Sequence, residues 1–228
     1  MSAKKKDKVP SWFEVGLGAL LSVILGVVLG VAYLVFKPVL KVKEIPKDPP
    51  SGAVYYIEGS RDFSKSSEAE TMRKSFAAGE SVTIDEGEIN MLLGSFGNAG
   101  APDSKPAAKP GDKGPAPDAK ALDVGSLNVR LHDGRIQFAD TVAFSVLGVN
   151  GSVIVQAKGD FEKSGSTFSF EPDTFTVGGC PLQRFPVIRT WLMKKLLFPN
   201  PPPPDVAAAW PKLTGVSVEG SSLKLRMP

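Results

Sequence analysis

The longest pattern in the chain is unbroken and apolar: from Val15 to Phe36 it reads VGLGALLSVILGVVLGVAYLVF, 22 residues without a charge. As a helix rising about 1.5 Å per residue this run spans roughly 33 Å, against a bilayer hydrocarbon core of about 30 Å, so it predicts a transmembrane helix over 15–36. Trp12 and Tyr33 lie near its ends, where aromatic rings favour the membrane interface. A cleaved signal peptide fits less well, because the run exceeds the usual ~7–15 apolar residues and no small-x-small site precedes Lys37-Pro38. Residues 1–14 then form a basic tail. Residues 37–53 mix proline with charge, have no apolar period and read as an extended stalk that holds the rest of the chain off the bilayer.

From residue 54 the period changes. Val54 to Ile57 suggests a short strand, and Ser64 to Ala77 a surface helix with Met72 and Phe76 on one side. In SVTIDEGEINMLLGSF, Val82 and Ile84 alternate as a strand before Asp85 opens a helix. Asp85 and Glu88 have the spacing of a capping box, and Ile89, Leu92, Leu93 and Phe96 make an apolar stripe. Residues 97–121 are nearly all Gly, Ala, Pro, Asp, Lys and Ser, too little apolar surface to offset ordering, and predict a disordered loop. Alternation then returns. Leu127, Val129 and Leu131 lead to an Asp133-Gly134 turn and to Ile136 and Phe138, a hairpin signal. Further strands are expected at 142–146 and 153–157, with Asn150-Gly151 between them, and around 168–170 and 175–177. Phe185 to Leu197 reads as a helix with Ile188, Trp191, Leu192 and Leu196 on one face, stopped by five prolines among 199–204 that favour a polyproline-type spacer. A last hairpin runs from Val216 and Val218 through Glu219-Gly220-Ser221 to Leu223 and Leu225. The expected fold class is α+β: one N-terminal transmembrane helix, then a β-rich domain over 54–228 with a curved antiparallel sheet and two or three amphipathic helices.

Charge sharpens this division. Residues 1–50 hold eight lysines against four acidic residues, whereas the remainder has 19 basic and 20 acidic residues. The basic excess flanks the apolar run, and the domain lacks the positive charge with which a nucleic-acid binder would meet phosphates. No nucleic-acid partner is expected. Four lysines precede the run and four follow it within the zone that governs orientation. The first cluster is denser and sits on a very short tail, which favours that tail in the cytoplasm. The chain is then a single-pass protein of the inner (plasma) membrane, with its C-terminal domain periplasmic or extracellular.

Chemistry adds little. His132, the only histidine, falls in a hairpin turn, and Cys180, the only cysteine, has no histidine beside it in sequence, so no catalytic residue is expected. No spacing suggests a metal site or a phosphate-cradling glycine loop, and no cofactor is expected. The carboxylates Asp85, Glu86 and Glu88 cluster at a helix start, where they cap and favour the dipole. Gly18, Ser22, Gly26 and Gly30 recur every four residues on one helix face, a pattern that lets a homodimer or a partner helix approach closely; glycine's general abundance in membrane helices is the competing explanation. Ile188, Trp191 and Leu192 are candidates for lipid contact. Arg184, Arg189, Lys194 and Lys195 around them read first as a solvated polar face and second as partners for anionic head groups.

The anchor, SVTIDEGEINMLL, SLNVRLHDGRIQF and GGCPLQRFPVIRTWLMKKL together resemble the YpmS-like group of membrane-anchored extracytoplasmic proteins, themselves similar to tubular lipid-binding domains. The resemblance covers roughly residues 81–228; the 97–121 loop and the proline run depart from it. It implies a long curved sheet around a helix, a lipid groove and a cell-envelope role, with no functional residue carried over. Two functions follow as expectations: a non-catalytic envelope protein that binds lipid in a groove of its β-rich domain, or a structural or assembly subunit of a membrane protein complex.

Overall fold

In the computed structural model, which describes residues 11–44, 46–48, 50–98, 122–125, 127–146 and 149–228, the apolar run forms helix α1, Trp12–Val35. Ser11 starts it. The Ser11 hydroxyl accepts from the Glu14 N–H while the Glu14 carboxylate accepts from the Ser11 N–H, which satisfies two of the donors a helix start leaves open. None of the α1 residues is buried, and the helix is long and apolar enough to cross a membrane.

The remainder is α+β. Chain order runs β1 (Leu40–Lys41), β2 (Tyr55–Tyr56), α2 (Ser66–Ala78), β3 (Val82–Asp85), α3 (Glu86–Asn98), β4 (Leu122–Val124), β5 (Asn128–His132), β6 (Arg135–Val146), β7 (Val149–Ser164), β8 (Thr167–Val177) and β9 (Cys180–Pro181). Then follow α4 (Pro186–Leu192), which continues into a π-helical turn Met193–Leu197, α5 (Pro204–Ala209), β10 (Gly215–Glu219) and β11 (Ser222–Arg226). The six-stranded antiparallel sheet has the order β4-β6-β7-β8-β9, with β5 beside β4 on the same edge of β6. The hairpin read at Asp133-Gly134 is present: both residues have positive φ, 54° and 69°, the mirror-image turn whose twist suits paired strands. Across it Val129 pairs with Phe138 and Leu131 with Ile136, all buried, so the alternation does point one face inward.

That face is covered by the protein's own elements. Phe76 of α2, Val82 and Ile84 of β3, Leu196 and Leu197 of the π turn, Ala209 of α5, and Leu223 and Leu225 of β11 join Val129, Ile136, Val142, Val155, Phe175 and Val177 in one core. The final hairpin, β10-β11, forms as expected, but β11 also pairs with β3, giving a separate three-stranded sheet. The capping box at Asp85 forms too: Glu88 N–H donates to Asp85 Oδ1 at 2.9 Å and Asp85 N–H to Glu88 Oε2 at 2.8 Å.

Four expectations need correction. Asn150-Gly151 does not lie between strands but inside one, because β7 begins at Val149 and pairs Gly151 with Phe144. A Cβ at Gly151 would lie 2.5 Å from Phe144 Cζ, so glycine is there to admit a ring from the neighbouring strand. The prolines do not act as a spacer throughout: Pro204 opens α5 at a first-turn position, where its missing N–H is no loss. Helix α2 is more than a surface helix, with Ala69 and Phe76 buried. Segment 37–53 does not extend away as a stalk. It loops back so that β1 pairs with β2 in parallel, and Val39 packs with Tyr56, Ala139 and Ile154 on the second face of the sheet. The loop expected over 97–121 lies outside the described residues beyond Asn98, as does the basic tail before Ser11.

Candidate functional site

The region of interest is where α1 meets the domain. Between β8 and β9 the chain turns through Gly178 and Gly179, and the Gly179 N–H donates to the Leu34 carbonyl at 3.0 Å. The same carbonyl accepts from the Lys37 N–H at 3.3 Å, so Gly179 adds a second donor at the end of α1, from the domain. Gly178 has φ +57°, and a Cβ there would fall 1.8 Å from the Val35 carbonyl oxygen, so the two backbones touch only because glycine stands at this position. Val35 packs against the main core, and the Phe36 ring lies 5.3 Å from that of Phe144. Lys37 reaches back to donate to the Gly52 carbonyl at 2.6 Å. The end of the apolar helix is built into the domain.

Six residues beyond Gly179 the chain reaches Phe185 and then α4. This helix splits the three lipid-contact candidates: Leu192 is partly buried against the core, while Ile188 and Trp191 stand 49% and 61% exposed. Phe185 and Val187 join them, at 54% and 82% exposed, to make an outward apolar patch of four residues. The single face read from sequence, Ile188, Trp191, Leu192 and Leu196, is therefore divided and did not include Val187; Leu196 and Leu197 of the π turn are the residues that go in. Arg189 does not lie free beside the patch. Its guanidinium donates to the Pro172 carbonyl at 3.2 Å and sits 3.6 Å from Glu171, pinning α4 to the edge of β8.

Two open depressions flank this region. Trp191, Lys194, Lys195 and Pro199 line one. The other runs along β1 and β2, with Lys41, Lys43 and Arg61 on its walls and Tyr56 at its floor. Burial, with the nearby Glu58 carboxylate second, pushes the Tyr56 phenol up to about 12, so it stays a neutral donor. It hydrogen-bonds Asn128 Oδ1 at 3.3 Å.

Asn128 belongs to a buried polar clamp that sequence patterning did not reveal. Asn128 Oδ1 accepts from the Gly59 N–H at 2.7 Å. Asn90, on α3, donates to the carbonyls of Ser60 and Val129 and accepts from the Val129 N–H, at 2.8, 2.7 and 2.6 Å. Glu86, read from sequence as favouring the helix dipole, accepts from the N–H groups of Ser60 and Leu131 at 2.6 and 2.7 Å. These side chains tie segment 55–61, and with it the return from α1, to the edge strand β5. Asp85 sits beside them. Burial opposes its ionisation, but the Lys65 ammonium and the amides of Glu88 and Gly87 outweigh that and hold its pKa below the ordinary carboxylate range.

The remaining candidates are placed as follows. Gly18, Gly26 and Gly30 have nothing within 4 Å of where a Cβ would sit, and Ser22 Oγ donates to the Gly18 carbonyl at 2.8 Å, so among the described residues the domain makes no contact at these glycines. His132, expected in the turn, is the exposed last residue of β5, paired with Arg135 and 3.2 Å from Asp133. Cys180 is buried, and burial pushes its thiol pKa up, away from the reactive thiolate. Among the described residues no group of three or more His, Cys, Asp or Glu side chains is arranged to hold a metal ion. Compared with protein-family models, curated proteins and solved structures, the chain matches none of them.

Proposed function

We propose that this chain is a single-pass, membrane-anchored, non-catalytic cell-envelope protein whose domain serves as a structural or assembly subunit held against the bilayer. The observation that carries the proposal is the joint: the Gly179 N–H bonded to Leu34, with Gly178 against Val35, makes the domain a continuation of its anchor rather than a body on a tether. Such a joint fixes which faces of the domain look toward the bilayer and which look away. The placement of His132 and Cys180 supports a role without nucleophilic catalysis. The tail is cytoplasmic and the domain periplasmic or extracellular in this reading, on the density of the N-terminal lysine cluster. The small-residue face of α1 supplies a surface for a second helix.

The competing proposal is the one the YpmS-like resemblance implies, a lipid chain held in a groove of a curved sheet. It draws less support, because the face of the sheet that such a chain would line is filled by Phe76, Leu196, Leu197 and Leu225. Purification of the full chain from its native membrane in a mild detergent, followed by cross-linking and native mass spectrometry, separates the two. A stoichiometric protein partner retained through extraction supports the assembly role. A lone chain carrying a lipid-sized mass that organic solvent removes would replace it with the lipid-handling one.

A further inference from the structure

The outward face of α4 is the most conspicuous surface not explained by the fold. A seven-residue helix has no independent stability in water, and α4 holds its shape because Leu192, Leu196 and Leu197 are anchored in the core and Arg189 is tied to Glu171 and Pro172. The fold therefore presents Phe185, Val187, Ile188 and Trp191 rigidly to the outside, although contiguous apolar surface of this kind normally has a partner. Two further observations say what the partner is. First, Phe185 is six residues from Gly179, which is bonded to the last turn of α1, so at full stretch the patch begins within about 20 Å of the point where the apolar helix ends. The chain is shorter than that, since the Phe185 N–H turns back onto the Leu182 carbonyl. Second, no acidic residue occurs between Asp173 and Asp205, while Arg184, Arg189, Lys194 and Lys195 all do. An apolar face whose own stretch of chain carries only basic residues, with Glu171 of β8 paired to Arg189, lies next to the exit of a membrane-length helix and matches an anionic lipid surface.

We infer that α4 is a second membrane-contacting element: Phe185, Val187, Ile188 and Trp191 insert among the head groups of an anionic bilayer beside α1, with Arg184, Lys194 and Lys195 on the lipid phosphates. The inference rests on the anchored reading of α1. It turns the domain's attachment from one point into two, which fixes its rotation about the helix axis as well as its height.

The test uses the full chain in vesicles of phosphatidylcholine and phosphatidylglycerol, labelled with a polarity-sensitive fluorophore at Val187→Cys, Val23→Cys or Ser166→Cys; buried Cys180 is left in place. Ser166 lies in the turn joining β7 to β8, a strand length from Gly178, and is exposed. The Val187 label is expected to shift to the blue and to be quenched by lipid-borne nitroxide about fivefold or more above the Ser166 label, as for a face inserted to the acyl boundary. Adding Lys194→Glu and Lys195→Glu should lower the docked-to-undocked ratio by at least about tenfold, and pure phosphatidylcholine should act in the same direction. A Val187 label no more quenched than Ser166, with Val23 strongly quenched, overturns the inference and leaves the anchor standing. A Val187 label shielded from aqueous quencher but untouched by lipid nitroxide overturns it in favour of a protein partner. An unquenched Val23 label would remove the anchored reading itself.

Discussion

The joint between α1 and the domain makes a prediction that the structure allows to be sized. In Gly178→Ala the new Cβ would lie 1.8 Å from the Val35 carbonyl oxygen, and ordinary contact begins near 3.4 Å, so the two backbones must separate by about 1.6 Å. The atom in the way is main chain and cannot swing aside. Opening the joint forfeits the Gly179–Leu34 hydrogen bond, worth about 1 kcal/mol, and much of the partly buried Val35 contact, worth about another. The positive φ of +57° adds roughly 1–2 kcal/mol for any residue with a Cβ. The sum is about 3–4 kcal/mol. Gly165→Ala is the matched control, since its φ is +64° but nothing lies within 4 Å of the added methyl, and it should show only the backbone component of roughly 1–2 kcal/mol. Chemical denaturation of the full chain in detergent micelles measures both losses, and amide exchange reads the joint directly: protection at Gly179 should collapse in Gly178→Ala and survive in Gly165→Ala. Equal losses in the two variants, with Gly179 still protected in both, would refute the close approach and with it the built-in anchor.

Three further outcomes follow from the same structure. Asn90→Ala removes three hydrogen bonds from a residue 2% exposed and strands the main chain of Val129, so urea unfolding should show a loss of about 2–4 kcal/mol, against a few tenths for an exposed control such as Thr83→Ala. Asp85 has a folded pKa below its unfolded value, so its contribution is complete above about pH 4 and is lost as the pH falls through the folded pKa; Asp85→Ala should cost about 1 kcal/mol near neutrality through the lost cap and converge with the parent in acid, as followed by unfolding midpoints across that range. Cys180, 5% exposed and with its thiol pKa raised, should react with a thiol reagent at least about a hundredfold more slowly in the folded chain than in denaturant; equal rates would show that β9 frays.

What the sequence disclosed divides by range. The Asp133-Gly134 hairpin, the Asp85–Glu88 capping box and the extent of the apolar helix are local devices, set by residues a few positions apart, and all were legible. Asn150-Gly151, expected between strands, lies inside one because the same dipeptide serves two ends: only knowledge of its cross-strand partner, Phe144, tells that this glycine makes room for a ring. The Gly178-Gly179 joint and the Asn90 and Asn128 clamp were invisible for a related reason, since the partners of Gly179, Asn90 and Asn128 lie 145, 39 and 69 residues away. Helix α4 failed in another way. Residues 185–197 are apolar on more than one side, so periodicity showed that a face existed without showing which side of it met the core. The one hint available was a pair of adjacent glycines directly after a strand, a common mark of close backbone approach.

The consequence for function lies in how the pieces constrain one another. A domain tethered by a flexible stalk samples all orientations, and none of its surfaces is special with respect to the membrane. Here Val35 and Phe36 are held by the sheet, and Val39 by its second face, so tilting the domain requires tilting α1 or breaking those contacts. The β7–β8 hairpin then projects from the joint by the length of β8, 11 residues or roughly 35 Å of strand. A load applied at the hairpin tip would reach α1 through those contacts, and in the assembly role we propose a helix packed along Gly18–Gly30 would set the direction in which the domain faces. Coupling of that kind is what a subunit of an assembly uses. The lipid-groove reading would need an unfilled apolar interior, and the packing of Phe76, Leu197 and Phe175 there is what leads us to propose the assembly role ahead of it.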